Sequence, residues 1–211
     1  VHFKVIFNLD GSGVYIDPNE PLHLDALLSW VLAPRVGANK GLGRDDRPDH
    51  VPLPLLRKNI GDKWVWAASA LFPDDHQGED LQFWRKRFRQ GKADISTGAP
   101  NLKNGQYRDW NTPMPLLLTQ RLVAYASGNR KECKRLLREL THLGKKRAYG
   151  YGKIISIEYP ETDNDCSLVK DGLAMRYLPD DSGYRQVRLR PPYWNRIDRV
   201  LCCEIGDQVS A

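Results

Sequence analysis

Eleven consecutive residues concentrate the chemistry available to this chain. Leu143-Gly144-Lys145-Lys146-Arg147-Ala148-Tyr149-Gly150-Tyr151-Gly152-Lys153 combines three glycines, four cations and two tyrosines. Glycine admits positive φ and a close approach of backbone to ligand, so successive amides can face one phosphate-binding concavity. Lys145, Lys146 and Arg147 add charge there, and Tyr149 and Tyr151 offer rings for stacking or a hydroxyl for a phosphate. The order is helix, loop, strand, and no Gly-Lys-Ser/Thr follows, which excludes a nucleoside-triphosphate P-loop. Gly150-Tyr151-Gly152 is not a dinucleotide fingerprint either. A tight turn carrying surface lysines would use the same glycines, so the spacing leaves two readings open.

A second segment, Phe83-Trp84-Arg85-Lys86-Arg87-Phe88-Arg89, interleaves rings with cations. Arg85, Lys86, Arg87 and Arg89 suit phosphates, and the rings suit unpaired bases. By alternation Phe83 and Phe88 could instead point into a core. For acid–base cleavage of RNA a histidine or a Tyr-Lys pair is required near the 2′-hydroxyl. His23, at the start of a helix, is the candidate; His50 lies in a loop, and Tyr151 with Lys145 and Lys146 is a histidine-free alternative. His23 could equally cap or pack against its helix, and with no visible partner it does not make the chain an enzyme. His2, His23, His50, His76 and His142 lack paired metal spacing, so no metal and no other cofactor is expected.

These groups need elements to position them. Phe3, Val5 and Phe7 alternate as in a strand, and Asp10 to Gly13 turns into Val14, Tyr15 and Ile16, a hairpin or a bulged strand. Leu24, Leu27, Leu28 and Val31 recur at helical spacing from Pro21, and Pro34 ends the pattern. Residues 34–52, polar and rich in Gly, Pro and Asp, predict a mobile surface loop. Trp64, Val65, Trp66 and Leu71 form a short apolar run that fits a buried strand without excluding a helix. Residues 81–115 predict a projecting hairpin arm. Asn129 to His142 predicts a helix with Cys133, Leu136, Leu137 and Leu140 on one stripe and Gly144 as its C-cap. Ile154 to Tyr159, Val187 to Leu189 and Val200 to Ile205 read as strands.

The 211 residues are 41% hydrophobic and 27% charged, which predicts a folded chain, read as one domain over 1–211. The formal net charge of +6 favours polyanions weakly. Its distribution says more, because cations cluster at 85–92, 130–147 and 185–199 while carboxylates gather in loops. Cys133, Cys166, Cys202 and Cys203 show no CxxC spacing and read as reduced thiols. With no apolar run of membrane length and no signal-peptide pattern, the expected compartment is a reducing cytoplasm, with no membrane partner.

The loop Gly144 to Lys153 between a helix and a strand resembles that of the RAMP (repeat-associated mysterious protein) superfamily of CRISPR effector subunits. Within it, Leu24-Asp25-Ala26-Leu27-Leu28, Trp66-Ala67-Ala68-Ser69-Ala70-Leu71-Phe72 and Arg190-Pro191-Pro192-Tyr193-Trp194 are most similar to the Cas-five-like subunit of type IV complexes. The resemblance implies an α+β fold: a ferredoxin-like or RNA-recognition-motif core of order β-α-β-β-α-β, an antiparallel sheet, and a thumb formed by the middle insertion. It implies a non-catalytic crRNA-binding subunit that holds the 5′ handle of the guide and caps the backbone filament. Its partners would be crRNA, the backbone and large subunits, and target DNA near the complex. The alternative within the superfamily is a metal-independent crRNA-processing endoribonuclease. An RNA-recognition protein outside CRISPR would require exposed paired rings on the strand, which Lys153-Ile154-Ile155-Ser156-Ile157 lacks.

Overall fold

A computed structural model describes residues 1–17, 19–75, 77–89, 103–104 and 108–209. In chain order its elements are β1 (His2–Leu9), β2 (Val14–Tyr15), α1 (Leu24–Leu32), β3 (Arg57–Ile60), β4 (Lys63–Trp66), β5 (Phe72–Pro73), β6 (Gly78–Lys86) and β7 (Trp110–Leu118). Then follow β8 (Arg121–Ser127), α2 (Arg130–Leu137), a 3-10 turn (Arg147–Tyr149), β9 (Ile154–Glu158), β10 (Val169–Lys170), β11 (Leu173–Ala174), β12 (Leu178–Pro179), β13 (Arg185–Arg188) and β14 (Arg199–Cys203). The architecture is therefore sheet-rich with two α-helices among the described residues, and its strand pairings are antiparallel.

The alternation in β1 decides the core. Phe3, Val5 and Phe7 are fully buried on one face, opposite Ala126, Ala124 and Leu122 of β8. Against that face pack Leu24 and Leu28 of α1 and Cys133, Leu136 and Leu137 of α2. The sheet runs in the order β5-β8-β1-β9, with α1 between β1 and β5 and α2 between β8 and β9. A second cluster joins Val65 of β4 to Tyr177, Leu189 and Cys202, so the β3-β4 hairpin carries the C-terminal strands. Burial pushes the Cys133 and Cys202 thiols up to about 12, which keeps both protonated and unreactive.

Two expectations need correction, and a third point, left open by the sequence, is decided. β2 does not fold back on β1; it pairs with β7, Val14 to Leu117 and Tyr15 to Leu116, because Gly11 and Gly13 at positive φ turn the chain toward another sheet. The second helix is shorter than its apolar stripe. It starts as expected, with Asn129 accepting from the Glu132 amide at 3.2 Å, but ends at Leu137 with Arg138 as C-cap. Leu140 and Leu143 stay buried on the irregular chain beyond, so burial continued the pattern after the helix had stopped. Gly144 is therefore no helix cap. Third, Phe83 is 48% exposed and does not point into a core.

Residues 34–52 hold no helix or strand, as their composition predicts, yet the segment is tied to its surroundings. Asn195 Nδ2 donates to the carbonyls of Gly43 and Asp46 at 3.2 and 2.8 Å, and Arg35 pairs with Glu139. The predicted arm is a hairpin of β6 and β7, running from Gly78 opposite Leu118 to Lys86 opposite Trp110. The residues 98, 100, 101 and 105 of its polar stretch lie outside the described residues.

Candidate nucleic-acid interface

β2 is two residues long, and both of its edges are used. On one side it pairs with β7; on the other, Tyr15 bridges Lys145, whose amide donates to the Tyr15 carbonyl at 3.0 Å. The glycine-rich loop is thereby fixed beside the base of the hairpin, and two segments far apart in sequence become one surface.

The glycines divide by role. At Gly152 (φ +68°) a Cβ would lie 2.2 Å from the Leu143 carbonyl oxygen, and at Gly144 (φ +74°) 2.6 Å from that of Tyr15. Both positions are close backbone crossings within the protein. Gly150 (φ +92°) faces open space. The amides of Lys145, Tyr149, Gly150 and Gly152 donate to the carbonyls of Tyr15, Lys146, Arg147 and Gly13. Most of the glycines' amides are thus satisfied inside the fold, and side chains make up the outward face.

Those side chains form a cluster of rings and cations. Lys146, itself at φ +61°, holds its Nζ 4.0 Å from the centre of the Trp84 ring and 6.0 Å from that of Trp110. Tyr149, 67% exposed, meets Trp84 edge-on at 4.6 Å. Beneath them, buried Tyr15 donates to Gln82 Oε1 and accepts from Trp84 Nε1 at 3.2 Å, while the Tyr151 ring packs edge-on against it at 4.6 Å. Burial raises the pKa of the Tyr15 phenol, so it remains a hydrogen-bond donor. Arg147 lies 5.1 Å over exposed Trp30 of α1. Among the described residues no carboxylate lies within ion-pair distance of Lys145, Lys146 or Arg147.

On the hairpin, Arg85 donates to Asn111 Oδ1 at 3.0 Å, Lys86 stands opposite Trp110, and Arg87 and Arg89 are exposed beyond the strand end. Of the residues that join loop to hairpin, Trp84 belongs to the ring-and-cation segment read from the sequence, whereas Gln82, Trp110 and the role of Tyr15 escaped that reading. Period-2 alternation put Gln82 and Trp84 on one face of β6, but only the pairing of β2 with β7 brings Tyr15 to that face.

His23 is elsewhere. It is 2% exposed, stacked on Tyr193 at 4.6 Å, and neither ring nitrogen has a partner among the described residues. Burial, with the nearby Arg176 charge, holds its pKa well below the ordinary value. In the unfolded chain His23 protonates near pH 6.5, while in the fold it stays neutral, so stability is full above pH 6.5 and falls as the pH drops below it. The slope contributed is about 1.4 kcal/mol per pH unit. Urea unfolding at pH 7 and pH 5 should show that difference shrinking in His23→Leu; an unchanged pH dependence would remove His23 as its source.

Arg188 and Arg190, assigned by sequence to a basic cluster, are not free surface cations. Arg188 is 6% exposed, and Arg190 donates to the Trp64 carbonyl at 2.8 Å with its guanidinium 4.1 Å over the Trp64 ring. No group of side chains that could hold a metal ion occurs among the described residues, and none of their helices is long and apolar enough to cross a membrane.

A frame of mostly antiparallel sheet with few helices thus presents one basic, ring-lined surface built from a loop and a hairpin. The family described as CRISPR type IV associated protein Csf3 matches residues 2–205, nearly the whole chain, and the chain belongs to that family. It is a type IV CRISPR-associated subunit. A search of curated proteins finds no match.

Proposed function

We propose that this chain is the crRNA-binding subunit of a type IV CRISPR ribonucleoprotein, non-catalytic, holding the 5′ handle of the guide and capping the backbone filament. The observation that carries the reading is Lys146 seated on Trp84, which makes loop and hairpin one cationic, aromatic surface. Cations without carboxylate partners attract phosphates, and exposed Tyr149 offers a stacking face for an unpaired base. The sheet order β5-β8-β1-β9, with a helix in each crossover, is that of a split β-α-β ferredoxin-like unit and supports a RAMP core with β6 and β7 as the thumb. Buried His23 supports binding without cleavage. The remaining partners are the backbone and large subunits, with target DNA nearby, in the cytoplasm.

The test is binding of labelled repeat RNA at several salt concentrations by wild type and by Lys145→Ala/Lys146→Ala/Arg147→Ala. Each lost phosphate contact lowers the slope of log K against log salt by about 0.7 for a single strand, so the triple variant should lose roughly 2. An unchanged slope removes the loop from the interface. The RNA should stay intact; specific cutting abolished by His23→Ala would favour the endoribonuclease.

A further inference from the structure

On the other side of α1, an open cavity of about 220 Å³ lies between Ser29, the end of the 34–52 segment, β4 and the chain after β13. It is smaller than the roughly 300–1,000 Å³ of sites for drug-sized ligands, so its occupant is a small group or one unit of a larger molecule. Rings form one part of the lining. The indoles of Trp64 and Trp66 meet edge-on at 5.1 Å, and His50 lies nearly parallel to Trp66, at 14° and 5.7 Å. Trp66 is buried and fixed, whereas Trp64 is half-buried and His50 exposed.

The guanidiniums of Arg47, Arg188 and Arg190 form the other part, with Arg57 outside the lining beside Trp64 and His50. Arg57 and Arg190 lie 4.6 and 4.1 Å over the Trp64 ring, and Arg57 Nη2 is 2.8 Å from His50 Nε2. Arg188 lines the same cavity, and its buried Nη1 has no hydrogen-bond partner among the described residues. Three like charges so close repel, and burial adds to the penalty: it depresses the Arg188 and Arg190 pKa values, with Arg190 acting on Arg188 and Arg57 on Arg190. Asp198, which also lines the cavity, opposes this and raises both pKa values, but burial outweighs it. Asp49 accepts from the Asn39 amide at 2.9 Å, and neither it nor Asp198 is within ion-pair distance of a guanidinium among the described residues. A buried, unpartnered arginine donor beside two edge-on indoles and a histidine ring is a site shaped for an anion carried by a flat ring.

We infer that this cavity binds a single unpaired nucleotide, its base against Trp64 and His50 and its phosphate on Arg188, Arg190 and Arg57. The site is separate from the loop and hairpin: Ser29 of α1 lines the cavity, while its neighbour Trp30 meets Arg147 of the loop. That the nucleotide is part of an RNA rests on the proposed function; the chemistry of the site does not. A base beyond the handle residues gripped by the loop would be drawn out of the stack and read here, giving the subunit a second hold on the strand.

The test titrates the whole chain with a nucleoside 5′-monophosphate, with inorganic phosphate and with a short unpaired RNA, following tryptophan fluorescence and calorimetric heat. The monophosphate should quench the tryptophans and bind at least about 10-fold more tightly than phosphate, as base stacking on an aromatic ring implies. Trp64→Leu should weaken it about 10-fold. Arg57→Gln, at an exposed position that leaves the core untouched, should weaken it too and so guards against misfolding of the first variant. If only the RNA binds, and both variants weaken it, the nucleotide is strand-borne; if the monophosphate binds and RNA affinity is unchanged, the ligand is a free nucleotide. Equal affinity for phosphate and monophosphate, or no effect of either variant on any ligand, overturns the inference. The Lys145, Lys146, Arg147 triple variant separates this outcome from the proposed function: it should lose RNA affinity while monophosphate binding persists.

Discussion

Arg176→Met is expected to lower the free energy of unfolding by about 3–5 kcal/mol, the range for breaking a buried ion pair from one side. Arg176 and Asp25 are both fully buried, and the guanidinium holds four parts of the chain together. Its Nη1 donates to the carbonyls of Trp66 and Ala68 at 2.5 and 2.9 Å, and its Nη2 to those of Leu189 at 2.7 Å and to Asp25 Oδ2 at 3.3 Å. Tyr193 completes the cluster, its hydroxyl 2.8 Å from Arg176 Nη2 and 2.8 Å from Asp25 Oδ2. Burial lifts the Asp25 pKa against the pull of Arg176 and the Tyr193 hydrogen bond. Without the guanidinium the Trp66, Ala68 and Leu189 carbonyls each lose a donor, and the Asp25 carboxylate keeps the Tyr193 hydroxyl but loses its counter-charge. Urea unfolding of Arg176→Met, Asp25→Leu and the double variant is the measurement. The double variant should lose less than the sum of the singles, because it leaves no unpaired charge. A loss below about 1 kcal/mol for Arg176→Met would show that water or a rearranged side chain replaces the network.

The second large effect concerns the glycine-rich loop. Gly152→Ala should cost about 2–4 kcal/mol, since left-handed backbone penalises an L side chain by roughly 1–2 kcal/mol and relief of the clash stretches backbone hydrogen bonds as well. Those bonds are Leu143 N–H to the Gly152 carbonyl at 2.8 Å and Gly152 N–H to the Gly13 carbonyl at 2.9 Å. Gly150→Ala, with open space around its Cβ, should show the conformational penalty of about 1–2 kcal/mol and no more. RNA affinity should follow the same order, falling in Gly152→Ala because the loop shifts away from Trp84 and persisting in Gly150→Ala. Thermal melts together with RNA titrations of the two variants would decide it. Equal effects in both would mean that the close crossing at Gly152 relaxes freely.

Local periodicity located β1, α1, the start of α2 and β9, since each buries a face against the same core and a buried face imposes its own spacing. It overran the end of α2, because Leu140 and Leu143 are buried without being helical, and burial is the only quantity the spacing reports. The glycine-rich loop was legible as a motif, whereas its fit to the hairpin was not. That fit depends on Tyr15 changing sheets, a tertiary event that leaves no local trace. The pairing of Arg176 with Asp25 spans 151 residues, and a lone arginine in an otherwise apolar stretch gives no hint of its partner. The cavity beside Trp64 is hidden for a related reason: the spacing of Arg188 and Arg190 is that of solvated charge, and only the tertiary packing of β4 against them buries it.

Because so short a strand as β2 is shared by neighbours on both flanks, the arm and the loop cannot swing independently. A displacement of one is transmitted through Tyr15 to the other, so the positions of Trp84 and Lys146 are set together. The two would then turn as one rigid lever, about a pivot two residues wide.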